Sequence, residues 1–384
     1  MRIQTIPIFL TFLVMGVADA MGPMSDAVKN QYQISNVMAT LLSFFVFIAF
    51  AVFSVPGGLL AARIGKKKLL LVGLGLNVVA MLVPSLMPPG FALLLGCIFL
   101  LGVGTTFLQV AGNPVMRDVS AQGNYSRNLS FAQGLKGLGS AASTYLVTSI
   151  ATLALLKEMG WRGSFPLFCG LMAVAFVLVS MVKVEETKAE LPPSLGSSLG
   201  LLKEPVFFLA VLGIFLYVGA EVCMARFLFP IMKEIGLDEA TASKFGSALF
   251  FALLTVGRLT GGAVLMVMKP RTCFRLSAFL GLVGGVLLMS GSKPLAIAGV
   301  FAAGLGFANI WPMLFSITVE EKPERASELS GLMCMAISGG ALVPLLMGQL
   351  VDMGQKSISF VVPVACFAYL LLISLKGGKK PVRA

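Results

Sequence analysis

Twelve apolar runs, each long enough to cross ~30 Å of hydrocarbon at a helical rise of ~1.5 Å per residue, constrain this chain more than any motif in it. They fall near residues 6–28, 36–62, 68–87, 91–116, 128–155, 163–183, 205–232, 241–267, 273–291, 294–318, 327–351 and 358–375. Hydrophobic residues make up 57% of the chain and charged ones 12%, against about 25% charged in soluble domains. The chain reads as an all-α polytopic membrane protein. No charged leader with a cleavage site precedes the first run, so that run is read as a retained span.

A net charge of +12 raises the question of nucleic acid, but the placement of the basic residues argues against such a partner. They lie in the short links between apolar runs. With the N-terminus in the cytoplasm, 19 Lys and Arg fall in inside segments, 7 fall outside, and three of the 29 (Lys136, Arg226, Arg258) lie within spans. The positive-inside rule then places both termini in the cytoplasm. The one long polar interruption, 184–204, is acidic and rich in Pro and Ser, as expected of a cytoplasmic linker. It separates a six-helix bundle at 1–183 from a second at 205–376, and 377–384 forms a tail.

The halves echo one another at an offset of about 200 residues. Gly16-Val17-Ala18-Asp19 parallels Val218-Gly219-Ala220-Glu221, Gly57-Gly58 parallels Gly261-Gly262, and Asn113-Pro114 parallels Trp311-Pro312. Parallel six-helix repeats of this kind hold substrate near the midplane, at their interface.

Chemistry is expected where polar groups enter the spans. Asp19 sits near the middle of the first run, where a carboxylate costs roughly 2.5–3.5 kcal/mol on insertion scales and marks an ion or substrate path. The other ionisable groups that stand out are Lys136, Glu221, Arg226 and, nearer the cytoplasmic edge, Arg258. Ion pairs Asp19–Lys136 and Glu221–Arg226 are one expectation for these groups, and substrate binding by Lys136 and Arg226 is the other. The chain has no His, so a transported proton must ride on a carboxylate, with Asp19 and Glu221 the candidates.

On the fifth span Gln133, Lys136, Ser140 and Ser143 share one helical face. On the fourth, Thr105, Gln109 and Asn113 do the same. Amide, hydroxyl and ammonium groups suit a polyhydroxy ligand, so Gln109, Asn113, Gln133 and Lys136 are candidate binding residues. Glu221, Arg226 and Asn309 join them from the second half. Tyr217 and Trp311 are candidates to stack on a sugar ring. The six Cys form no CxxC pair and read as packing residues rather than disulfides or metal ligands.

The loop GGLLAARIGKKK (Gly57–Lys68) resembles the signature loop between helices two and three of the major facilitator superfamily. Gly58, Leu60, Ala61, Arg63, Gly65 and Lys66 match its pattern, while Ala62 replaces its usual acid. Gly58, Arg63, Gly65 and Lys66 are thereby implied to be gating residues. Arg258, with Glu320 or Glu321, is expected to make an equivalent contact in the second half. LQVAGNPV (Leu108–Val115), LSFAQGLKGLGS (Leu129–Ser140), YVGAEV (Tyr217–Val222), GRLTGG (Gly257–Gly262), IWPMLFSI (Ile310–Ile317) and SGLMCMAISGGALVPLLMGQLVD (Ser330–Asp352) resemble the fucose/glucose–galactose porter branch.

That resemblance implies the major facilitator fold, twelve helices in two pseudo-symmetric bundles, and sugar import with a proton by alternating access. Asp19 matches the branch's first-helix coupling acid and Gln133 its fifth-helix glutamine. Gln109 stands where the branch has a fourth-helix Glu, and Lys136 where it has an Asn. Other readings are a carrier of an anionic sugar or organic anion, a drug/proton antiporter, and a transporter-like nutrient sensor. No metal cluster, nucleophile motif or phosphate loop supports an enzyme, and no cofactor is expected. The expected setting is a bacterial inner membrane, where the chain acts as a monomer among lipids.

Overall fold

The computed structural model describes residues 5–149, 157–187, 193–354 and 357–375. The N-terminal residues 1–4, the end of the fifth run, the centre of the linker at 188–192 and the tail 377–384 lie outside the described residues. The described residues form helices and connecting turns, with no strand among them.

Lipid offers no water to an unpaired N–H or C=O, so each crossing satisfies its backbone within its own helix. Among the described residues ten helices are long and apolar enough to cross: Leu41–Ile64, Lys66–Leu86, Phe91–Val119, Met159–Met181, Pro205–Glu234, Glu239–Val267, Pro270–Leu288, Lys293–Glu321, Pro323–Asp352 and Ile358–Leu375. Two more complete the twelve expected. The first span is the apolar helix Thr5–Ala20, which runs on into Met21–Tyr32. The fifth is Tyr125–Ser149, whose Gly, Ser, Gln and Lys lower its hydropathy.

The helices are not uniform. Span one tightens to a 3₁₀ turn at Gly16–Ala20, the stretch that carries Asp19. Span eleven does the same at Ala336–Ser338. Span ten breaks between Ala308 and Ile310, four residues before a proline nitrogen that has no proton to donate. Mid-helix 3₁₀ stretches and breaks of this kind are natural hinge points.

Two compact units divide the chain, Met1–Glu204 with Val319–Ile337, and Pro205–Thr318 with Ser338–Ala384. Their boundary in span eleven falls within its 3₁₀ turn. In the first unit spans one and five meet glycine to backbone: a Cβ on Gly139 would stand 1.9 Å from the Leu13 carbonyl oxygen. Close backbone approach through small residues is how membrane helices gain packing without a hydrophobic drive. Val319–Ile337 belongs to this unit because Gly58 and Gly331 meet, a Cβ on Gly58 falling 2.7 Å from the Ser327 oxygen, and because Ser330 Oγ donates to the Val110 carbonyl at 2.7 Å. In the second unit Phe250, Phe307 and Phe367 pack edge to face around span ten.

Candidate functional site

In the first unit, spans four and five bring their amides together. Gln133 Nε2 donates to Asn113 Oδ1 at 3.4 Å, and Asn113 Nδ2 lies 4.0 Å from Cys334 Sγ. Gln109, one turn from Asn113, is buried, and its Oε1 has no hydrogen-bond donor among the described residues. A buried amide oxygen left unpaired costs about 1–3 kcal/mol. Ser143 Oγ donates to the Gly16 carbonyl at 3.2 Å, which ties span five to the 3₁₀ turn beneath Asp19.

The expected Asp19–Lys136 ion pair is not formed. Asp19 is exposed, Lys136 is partly buried, and among the described residues neither has an ion-pair partner. Spacing put the acid and the base at matching depths, but the tight Gly16–Gly139 contact fixes how their helices are rotated.

In the second unit the expected Glu221–Arg226 pair is also replaced. Five residues along a helix is about 140° of rotation, so Arg226 lies away from Glu221 and is exposed. Glu221 instead pairs with Arg258 of span eight, Oε1 to Nη2 at 3.6 Å, with side chains only 20% and 10% exposed. Arg258 is therefore a mid-span residue. Of the partners expected for it, Glu320 pairs with Arg117 at 2.9 Å.

Arg258 also donates from Nη2 to the Tyr217 hydroxyl at 2.9 Å and from Nε to the Ala308 carbonyl at 3.2 Å. Tyr217 in turn donates to the Phe307 carbonyl at 3.1 Å. Asn309 Nδ2 reaches the Gly257 carbonyl at 3.0 Å. Tyr217 is fully buried, so its ring is engaged in packing rather than open for stacking. Trp311 is 5% exposed and stacks on Phe315 with centroids 4.9 Å apart.

A third cluster surrounds the signature loop. Gly65 adopts φ +103°, a backbone that L side chains rarely adopt, and so turns the chain into span three. Glu186 of the linker accepts from the Lys66 and Lys67 backbone N–H groups at 2.7 and 2.9 Å, a carboxylate on a positive helix end. Lys66 itself pairs with buried Asp118 at 2.5 Å. Arg63 Nη2 donates to the Pro193 carbonyl at 3.4 Å. Ala62, where the usual acid is missing, lines a small polar cavity with Glu186, Glu324 and Ser327. Nearby Arg325 pairs with Glu328, which accepts from Ser198 Oγ at 2.6 Å.

Asp118, Glu186 and Glu328 escaped the sequence reading. Each is an acid beside basic residues at a span end, a placement indistinguishable in sequence from an ordinary solvated loop charge.

Each unit thus carries polar groups within its spans, Asp19 and the amides of spans four and five in the first, Glu221 and Arg258 in the second. Residues 8–344 match the family model described as Major Facilitator Superfamily. A "Glucose/galactose transporter" of Brucella abortus biovar 1 is 30% identical over 367 residues, covering 91% of this chain and 88% of that one. An "L-fucose-proton symporter" of Haemophilus influenzae is 22% identical, covering 96% and 95%. A solved structure of the E. coli fucose:proton symporter superposes with a TM-score of 0.81 at 17% identity, covering 97% of this chain and 98% of that one. With the family model spanning most of its spans and the same helical fold found in a solved member, this chain belongs to the Major Facilitator Superfamily.

Proposed function

We propose that this protein imports a hexose, deoxyhexose or sugar derivative together with a proton by alternating access. The observation that carries the reading is the amide face of spans four and five. Asn113 and Gln133 are buried and bonded to each other, while Gln109 beside them offers an oxygen that no group among the described residues satisfies. A hydroxyl-rich ligand supplies donors for such a face. The sugar names carried by relatives aligned over most of their length point the same way. The two candidate proton carriers are Asp19, exposed on its 3₁₀ turn, and Glu221.

The membrane is a bacterial inner membrane, with both termini and the linker in the cytoplasm, as the distribution of Lys and Arg supports. Bundles at 1–183 and 205–376 form the transport halves. Gly58, Arg63, Gly65 and Lys66 contribute to the cytoplasmic gate, held by Asp118 and Glu186. The protein works as a monomer, with sugar and proton as cargo and lipid as its surroundings.

A second reading, a carrier of anionic sugars, is favoured by Lys136, whose ammonium has no carboxylate partner among the described residues. Uptake into proteoliposomes containing the purified protein, with neutral and acidic sugars and an imposed pH gradient, tests both. The proposal expects gradient-driven accumulation of a neutral sugar. It also expects Asp19→Asn to lose accumulation yet keep sugar counterflow, since a neutral side chain mimics the protonated acid. Accumulation of acidic sugars alone would favour the second reading. Full accumulation by Asp19→Asn would move the coupling role to Glu221.

A further inference from the structure

Span four carries Pro114 in its interior. A proline nitrogen has no proton to return to the carbonyl four residues earlier, so the helix leaves the carbonyl of buried Val110 open. Ser330 fills that opening. It lies on the Val319–Ile337 segment that packs within the first unit, and its Oγ donates to the Val110 oxygen at 2.7 Å. Other span hydroxyls return to a carbonyl of their own helix, as Thr106 does to Gly102 and Thr318 to Leu314. Ser330 instead reaches across to another span.

The same segment packs over a group that finds no partner. Gly331 lies so close to span two that a Cβ there would stand 2.8 Å from the Ser54 carbonyl oxygen. Ser54 is fully buried, and nothing among the described residues bonds its Oγ. A buried hydroxyl without a partner opposes packing, whereas a bonded carbonyl favours it. The docked segment therefore carries one contribution of each sign. It ends at the 3₁₀ turn Ala336–Ser338, where a helix can hinge.

We propose that Ser330 is a latch. Its hydroxyl caps the proline-opened carbonyl of span four and holds the Val319–Ile337 segment in place. In the course of transport the segment leaves span four about the Ala336–Ser338 turn, and water takes over at the Val110 carbonyl and at Ser54. Glu320 to Arg117 and Glu328 to Ser198 also tie the segment down. Loss of Ser330 thus shifts the balance between docked and released forms without abolishing docking. The inference rests on the alternating-access reading, but the latch itself involves no sugar and no proton.

The docked segment buries its own reporter. Cys334, one turn from Ser330, is fully buried, with Asn113 Nδ2 at 4.0 Å from its Sγ. The purified full chain in detergent is treated with N-ethylmaleimide, and each of the six cysteines is followed separately by peptide mass spectrometry. Ser330→Ala leaves the Val110 carbonyl unpaired in the docked form and should raise the rate at Cys334 about 5- to 150-fold. Cys97 and Cys223, buried elsewhere, should keep their rates. Ser54→Ala removes the unpartnered hydroxyl and should slow labelling at Cys334. If Ser330→Ala does not fold, Ser54→Ala decides the matter. An unchanged rate at Cys334 in Ser330→Ala, a parallel rise at Cys223, or an unchanged or faster rate at Cys334 in Ser54→Ala would overturn the latch. Labelling needs neither sugar nor a pH gradient, so its failure is distinct from failure of the transport reading, which is judged by uptake in the wild type.

Discussion

Replacing Gly139 by alanine should loosen the contact on which the first unit's site is built. A Cβ there would stand 1.9 Å from the Leu13 carbonyl oxygen, whereas carbon and oxygen in favourable contact sit roughly 3.3–3.6 Å apart. Spans one and five must then move apart locally by about 1.5 Å. Backbone faces backbone at this point, so no side chain can rotate aside. Overpacking of this kind costs about 1–3 kcal/mol. Separation also stretches the Ser143–Gly16 hydrogen bond, now 3.2 Å, and such bonds average about 0.6 kcal/mol in membranes. The expected loss is about 2–3 kcal/mol of stability, with weaker sugar binding because the displaced span five carries Gln133 and Lys136. Unfolding of purified protein by SDS in mixed micelles measures the first and ligand titration the second. Gly170→Ala is the control, since an added Cβ there meets nothing within 4 Å and should be neutral or mildly stabilising. If Gly139→Ala unfolds within about 0.5 kcal/mol of wild type and binds sugar unchanged, the two helices do not approach as described.

Other outcomes follow from the remaining clusters. Asp118→Ala leaves the Lys66 ammonium buried and unpaired and should cost about 3–5 kcal/mol, whereas Lys66→Met with Asp118→Leu should recover most of that loss in the same unfolding assay. Equal loss in both variants would show that the pair acts through more than charge. Gln133→Ala should weaken sugar binding about 5- to 150-fold, the equivalent of about 1–3 kcal/mol for unpaired desolvated hydroxyls. Unchanged affinity in both Gln133→Ala and Lys136→Ala would move the site elsewhere. For topology, a cysteine introduced as Glu185→Cys should resist an impermeant thiol reagent in intact cells, while one introduced as Ser292→Cys should label. Labelling of the first from outside would reverse the orientation.

Sequence alone was enough for the crossings. Hydrocarbon thickness and the need to satisfy every backbone group leave a long apolar run little freedom, so spans such as 91–116 and 205–232 reappear as Phe91–Val119 and Pro205–Glu234 with modest extensions. The Gln109–Asn113 stripe and the Gln133–Lys136 face were legible for a related reason, because helical periodicity decides which side chains share a side. The resemblance to a porter branch likewise rested on local motifs. Partner choice was not legible. Glu221 takes Arg258 rather than Arg226, Glu186 caps a helix begun 120 residues earlier, and Asp19 stands apart from Lys136. Nor does anything in the run 294–351 announce that Val319–Ile337 packs with the first unit. An ion pair depends on the rotation and depth of two helices at once, and those are set by glycine contacts and proline breaks between segments far apart in the chain. Only the packed tertiary structure decides them.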